Sequence, residues 1–223
     1  MDDKDYLKCE YIKNKTKYSE LKNIQIGGSI NNIVIHISGA SGSGKTTLGN
    51  KLKEKFGNKI VVKDLDILRD EHSDEAYDKT KPWSIDEVKY QKYIDNYVTK
   101  QNKPLILVGL NDNPRGTKKI YYNVHAQHRY YIDLDGNIIN KQKCLRLLND
   151  IKDDKNAMND LMNNNKAFIK GMTFGINHEC NLKDTIKENN KRKIYYNKQK
   201  YKFMKRDDIY NEVSKIIKKY ITK

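Results

Sequence analysis

The chain has 223 residues and carries 44 Lys and Arg against 29 Asp and Glu, a formal net charge of +15. That length suits one α/β domain with a small appendage, and no apolar run approaches the roughly 20 residues that a membrane-spanning helix needs. The opening Met1-Asp2-Asp3-Lys4-Asp5 lacks the apolar core of a secretory signal, so a cytoplasmic protein with no membrane partner is expected. Cys9, Cys144 and Cys180 are widely spaced, odd in number and without a C-x-x-C pair. They read as packed or idle thiols in a reducing compartment. A strong positive charge favours polyanionic partners. The heavy use of Lys, Asn, Ile and Tyr, all encoded by A/T-rich codons, supplies a compositional cause as well, which leaves nucleic acid as the second-ranked partner.

Residues 4–26 place Leu7, Tyr11, Tyr18 and Leu21 at spacings of 4, 7 and 3 with lysines between, an amphipathic helical pattern that Gly27-Gly28-Ser29 breaks. Residues 1–28 are therefore read as an N-terminal helical arm with a Gly-Gly linker, and 29–223 as the folded domain. The run Tyr6-Leu7-Lys8, Tyr11-Ile12-Lys13, Lys17-Tyr18, Leu21-Lys22 and Gly27-Gly28 resembles the tyrosine- and lysine-rich leader of many giant-virus (mimivirus-like) proteins. The resemblance implies a viral origin, a host cytoplasm, viral factory or virion location, and a processing site at Gly27-Gly28.

Next come Ile33-Val34-Ile35-His36-Ile37-Ser38, with four β-branched residues in six, and then Gly39-Ala40-Ser41-Gly42-Ser43-Gly44-Lys45-Thr46-Thr47. This loop fits G-x-x-x-x-G-K-[ST], the Walker A phosphate-binding pattern. Glycines at 39, 42 and 44 let successive backbone N–H groups point inward, where a Cβ would obstruct them. A helix opening at Gly44 or Lys45 adds its positive dipole end. Lys45 supplies a mobile charge for β- and γ-phosphates, and the Thr46 hydroxyl a ligand for Mg²⁺. Leu48, Leu52 and Phe56 follow at helical spacing, and Gly57 is the expected stop.

Ile60-Val61-Val62-Lys63 reads as a buried parallel strand that delivers Asp64-Leu65-Asp66-Ile67-Leu68-Arg69 at its carboxyl end, where ligands of open α/β sheets bind. Ser84-Ile85-Asp86-Glu87 is a capping box for a helix through Val88, Ile94, Tyr97 and Val98, ended by Asn102 and Pro104. Leu105–Leu110 is the most apolar strand and is placed beside the first one. Asp112, just past it, stands where a Walker B carboxylate would hold metal-bound water, or serves only as a turn residue. A turn at Asn113–Gly116 leads into a polar stretch containing Arg115, Lys118, Lys119, His125 and His128.

Arg129–Leu134 is a fourth strand, and Asp135-Gly136 opens either a hairpin or, the preferred reading, a helix through Cys144, Leu145, Leu148 and Ile151. Helical segments follow near 156–170 and 183–196, the second with a basic run, Lys187–Lys193, read as a solvated face. Tyr201–Met204 is a last short strand, and Asp207 is expected to cap a closing helix with Ile209, Val213, Ile216, Ile217 and Tyr220 on its apolar side. His125-x-x-His128 and His178-x-Cys180 lack the further ligands of a metal site. The whole predicts a doubly wound, mostly parallel α/β sheet of about five strands.

The pattern over residues 33–223 resembles the P-loop kinase superfamily of small-molecule kinases, chiefly through Gly39–Thr47, Asp64–Arg69 and Asp133–Arg146. The resemblance implies an ATP- and Mg²⁺-dependent phosphotransferase acting on a nucleoside, nucleotide or similar hydroxyl-bearing molecule. It makes Asp66 the group that receives the acceptor's proton and sets Asp64 beside the metal with Thr46 and Asp112. Arg146 becomes the lid arginine, with Arg115 an equal candidate, and Arg206 stands at the position of the adenine-contacting loop. Lys141 and Lys143 stand where the superfamily's lid carries further arginines. Asp66-x-x-Arg69 also resembles the polynucleotide-kinase pattern, so a 5′-hydroxyl end of DNA or RNA is the alternative acceptor. A third reading is a non-catalytic nucleotide-binding viral protein; no N-K-x-D motif supports a GTPase.

Overall fold

In a computed structural model the described residues are 32–71, 87–111 and 124–222. The N-terminal arm, the Ser84 capping box, Asp112 and Arg115 lie outside them. The organising element is β1 (Val34–Gly39), buried along its whole length. A strand with apolar or neutral side chains on both faces cannot lie at a solvated surface, so it takes neighbours on both edges and helices on both sides. It pairs in parallel with β3 (Leu105–Val108) through Val34–Leu105 to Ile37–Val108. Its other edge pairs in parallel with β4 (His128–Ile132), through Ile35–His128 to Gly39–Ile132. β2 (Val61–Asp64) flanks β3 and β5 (Lys202–Met204) flanks β4. The sheet order is β2-β3-β1-β4-β5, all parallel.

Alternation along the strands divides the core in two. Ile35, Ile37, Ile106, Val108, Tyr130 and Ile132 face α1 (Lys45–Phe56) and the closing helix α8 (Arg206–Ile221), meeting Leu48, Leu52, Phe56, Ile209, Val213 and Ile217. Val34, Leu105 and Leu107 face the other way, onto Leu65 and Leu68 of α2 (Leu65–Glu71) and Tyr90, Ile94 and Val98 of α3 (Glu87–Thr99). Each fully buried Leu or Ile contributes about 1.5–3 kcal/mol by leaving water, so the two layers clamp β1 from both sides. Gly49 lets α1 pack directly on the sheet: a Cβ there would stand 3.0 Å from a Val62 methyl and 3.1 Å from a Val108 methyl.

Four more helices fill the stretch between β4 and β5: α4 (Gly136–Asp153), α5 (Lys155–Met162), α6 (Lys166–Glu179) and α7 (Leu182–Lys198). Asp135 opens α4, its side chain accepting from Asn137 N, which decides for the helix over the hairpin. The segment expected near 156–170 is two helices, because Asn163 and Asn164 interrupt it and Asn165 caps a new one. Leu145 and Leu148 are half exposed on α4, so the apolar spacing there does not mark a core face. α8 begins at Arg206 with Lys205 at the cap, so Asp207 lies in its first turn rather than capping it. There it meets the positive end of the helix dipole.

A histidine sits in the middle of this core. His36 is fully buried on β1, its Nε2 donating to the Gly109 carbonyl (3.1 Å) and its Nδ1 accepting from the Tyr201 hydroxyl (2.5 Å). Burial pushes its pKa down from 6.5 to about 3, opposed by the Gly109 bond and assisted by the Arg129 and Lys45 charges. The folded form therefore excludes a proton that the unfolded chain binds. Stability is full above pH 6.5 and falls as pH drops from there toward 3. Urea unfolding is expected to show a loss of about 2 kcal/mol between pH 7 and pH 5 from this group. His36→Leu flattens that part of the profile; an unchanged slope would refute the assignment.

Candidate functional site

At the carboxyl end of β1 the chain curls before α1 begins. Gly42 and Gly44 hold φ of +80° and +84°, a region that L side chains seldom enter. Ser43 N closes the turn on Ala40 O at 3.0 Å, and Gly44 stands at the N-cap of α1. The expected helix start is thus found, with the first-turn amides of α1 facing the curl and lacking intrahelical partners. Gly42 is hemmed in by α4: a Cβ on it would stand 3.3 Å from Lys143 N and 3.6 Å from Ile139 O. A Cβ on Gly44 would stand 3.0 Å from Arg206 Nη1. Arg206 therefore lies against the curl itself, brought there by the β5–α8 junction.

Lys45 folds back over the loop, Nζ donating to the carbonyls of Gly39 (2.9 Å) and Ala40 (3.0 Å). Its pKa drops from 10.5 to about 8, chiefly because the ammonium is desolvated. Asp66 and Asp64 pull it back up while Arg192 and Arg146 push it down. Two acids and two arginines thus act on this one ammonium. Asp64, at the end of β2, uses both oxygens: Oδ1 accepts from Asp66 N (2.9 Å) and Oδ2 from Thr46 Oγ1 (3.0 Å). The backbone bond fixes the carboxylate so that it faces the threonine. Asp66 is exposed in the first turn of α2 and paired with Arg69 (3.2 Å), which also reaches Asp70 (3.3 Å).

The structure therefore brings together Gly39–Thr47, Asp64, Asp66, Arg69, Arg146 and Arg206. Arg192 is the residue that the sequence reading missed. It falls in the run taken as a solvated basic face, yet it is 6% exposed, on the side of α7 that also buries Thr185, Asn189 and Tyr196. It pairs with Glu188 (2.9 Å) and lines a small crevice with Ala40, Ser41, Ile139 and Lys143. The signal was present: 185, 189, 192 and 196 follow helical spacing, and tyrosine at the end of that stripe marks an inward face. Lys193, in the same run, is held by Asp133 at 2.5 Å.

Cys144 on α4 and Cys180 at the end of α6 are paired, with Cα atoms 5.4 Å apart, rather than idle. Their sequence separation of 36 residues hides the pairing, which depends on how α4 and α6 pack.

A polyphosphate and a divalent cation fit the residues present. Side chains at Gly42 and Gly44 would press on α4 and on Arg206 and disturb the curl, and the Ser43 hydroxyl is buried with no hydrogen-bond partner among the described residues. Thr46 and Asp64 offer paired hard oxygen donors of the kind Mg²⁺ takes together with water. The sequence matches no protein-family profile and no curated protein. Among solved structures it resembles a protein from Eubacterium ventriosum described as uncharacterized, 18% identical over 83% of this chain and 98% of that chain, with a TM-score of 0.38. A likeness that weak carries no argument about function.

Gly42→Ala tests the cradle without touching a charged group. It forces a side chain into a left-handed conformation beside α4, and a loss of about 1–3 kcal/mol is expected in denaturant unfolding. A neutral result would mean that the curl relaxes freely.

Proposed function

We propose that the protein is a P-loop phosphotransferase of the kinase type, using ATP and Mg²⁺ to phosphorylate a hydroxyl-bearing small molecule, most simply a nucleoside or nucleotide. One observation carries the reading: the glycine curl, Lys45, the Thr46–Asp64 pair and Asp66 converge at the carboxyl end of a parallel sheet. Phosphoryl transfer asks a protein for little beyond positioning, charge neutralisation and a group that accepts one proton. When bound, ATP supplies the phosphoryl group and Mg²⁺ offsets the charge on its oxygens.

The chain's own residues do the rest. The amides of the curl hold the phosphate oxygens, and Lys45 leaves the Gly39 and Ala40 carbonyls to neutralise the transferring group. Thr46 and Asp64 would hold the cation. Asp66 takes the acceptor hydroxyl's proton as its oxygen bonds to phosphorus and the bond to the nucleoside diphosphate breaks. Arg146 and Arg192, whose charges already bear on Lys45, oppose the negative charge spread over the transferring oxygens.

Transfer of labelled γ-phosphate onto nucleosides, nucleotides, sugars and 5′-hydroxyl oligonucleotides tests the activity and finds the acceptor. Lys45→Ala is expected to lower turnover by about 10²–10³-fold with an unchanged unfolding midpoint; full activity in that variant would refute the assigned role. Asp66→Asn should lose rate while keeping ATP affinity, and an unchanged rate would move the proton acceptor to Asp64 or Asp112.

Lys45 also sets a pH signature. Phosphates raise its pKa from about 8, so binding takes up a proton where the free lysine is neutral. Affinity is therefore full below pH 8 and falls as pH rises beyond it. Calorimetry in buffers of different ionisation enthalpy is expected to show uptake of roughly 0.7 of a proton at pH 8.5. No uptake would place the phosphates away from Lys45.

A second reading, a 5′-hydroxyl polynucleotide kinase, is favoured by the Asp66–Arg69 pair at the acceptor side and by the charge of +15. It requires oligonucleotide binding that weakens steeply with salt; no binding at low salt removes it.

A further inference from the structure

The geometry points to the Cys144–Cys180 pair as a reversible thiol–disulfide modification site that governs entry to the phosphate loop; the regulatory consequence rests on the nucleotide reading of that loop. α4 rests on the curl, since Lys143 N stands 3.3 Å from where a Gly42 Cβ would be. Cys144 is the next residue, and Arg146, whose charge reaches Lys45, is two further on. Cys180 ends α6, and Asn181 caps α7, its side chain accepting from Asp184 N (3.2 Å). α7 in turn carries Glu188, Asn189 and Arg192 to the crevice above Ala40 and Ser41. One covalent link thus joins the helix resting on the loop to the α6–α7 junction, from which the helix that presents the buried arginine starts. That crevice has a volume of about 10 Å³, space for about one water, so a phosphate tail enters from this side only when α4 and α7 separate.

Both sulfurs belong to partly buried residues, so a small reagent has access to them. Asn140 Nδ2 donates to Cys180 O (3.2 Å) and Asn140 Oδ1 accepts from Thr185 Oγ1 (2.9 Å). These bonds do not involve sulfur, so they keep the two cysteines facing each other in the dithiol form and let the link re-form.

The chemistry is exchange with a small-molecule disulfide such as oxidised glutathione. One thiolate attacks a sulfur of that disulfide and releases one small thiol, leaving a mixed disulfide. The second thiolate then displaces the other small thiol. Two electrons and two protons pass from the protein to the two released thiols, and a reducing thiol reverses the steps. The disulfide form adds a covalent tie to the Asn140 bonds that hold α4 against the start of α7; in the dithiol form only those two hydrogen bonds remain, and they break and re-form as the helices open and close.

The test uses the full chain, equilibrated with oxidised glutathione or with dithiothreitol, and a fluorescent ATP analogue mixed in a stopped flow. Association is expected to be about tenfold slower in the oxidised protein, as for a lid held shut, and to recover on reduction. Cys9→Ser should keep the difference, whereas Cys144→Ser and Cys180→Ser should lose it and stay fast. Equal rates in both redox states, or a peptide map without a 144–180 link after oxidation, would overturn the inference. Should neither form bind the analogue, the nucleotide reading fails. The cross-link is then judged by hydrogen exchange at residues 40–46 and 136–146. Slower exchange in the oxidised protein supports control of the loop, and equal exchange refutes it.

Discussion

The structure depends on one constraint: β1 has no solvated face and no free edge. Val34, Ile35 and Ile37 are fully buried together with His36 and Ser38, so the strand exists only inside a sheet covered on both sides. Its two neighbours, β3 and β4, supply the edges, and α1, α8, α2 and α3 supply the covers. A strand held this firmly makes a rigid base for the irregular backbone that follows. Gly42 and Gly44 keep positive φ because the ends of β1 and α1 on either side are locked by packing.

Around that base the charged groups arrive from different parts of the chain. Asp64 and Asp66 come from β2 and α2, Arg146 from α4, Arg192 from α7 and Arg206 from α8. Parallel topology explains the convergence, because every strand points its carboxyl end to the same rim. The ordering is visible in bonds as well as positions. Asp64 is bound by Thr46 across the gap between β2 and α1, which ties the second strand to the loop. His36 plays a comparable part inside the sheet, joining β1 to Tyr201 before β5 and to Gly109 after β3.

What could be read from the sequence follows the range of the interactions. The five strands, the glycine loop and the helix after it were legible because short β-branched runs, glycine spacing and 3.6-residue periodicity are local signals. The start of α4 was legible for the same reason, as Asp135 caps a turn two residues away. The Cys144–Cys180 pair was not, since nothing local links positions 36 apart, and neither was the burial of Arg192. A basic helix looks solvated until a neighbour covers one stripe of it. The spacing of Leu145 and Leu148 marked the helix correctly, although it belongs to a face that nothing among the described residues covers fully.

The posture of Lys45 has a consequence for what the loop will accept. At rest its ammonium satisfies itself on the Gly39 and Ala40 carbonyls, so an incoming anion must replace two hydrogen bonds before it gains a charge. A chloride ion, with one diffuse charge and no array of oxygens, offers too little in exchange. A ligand bearing several anionic oxygens on one chain can satisfy the ammonium and the surrounding amides together. Under the proposed reading, the self-contact is a threshold that favours several anionic oxygens on one chain over a single diffuse charge.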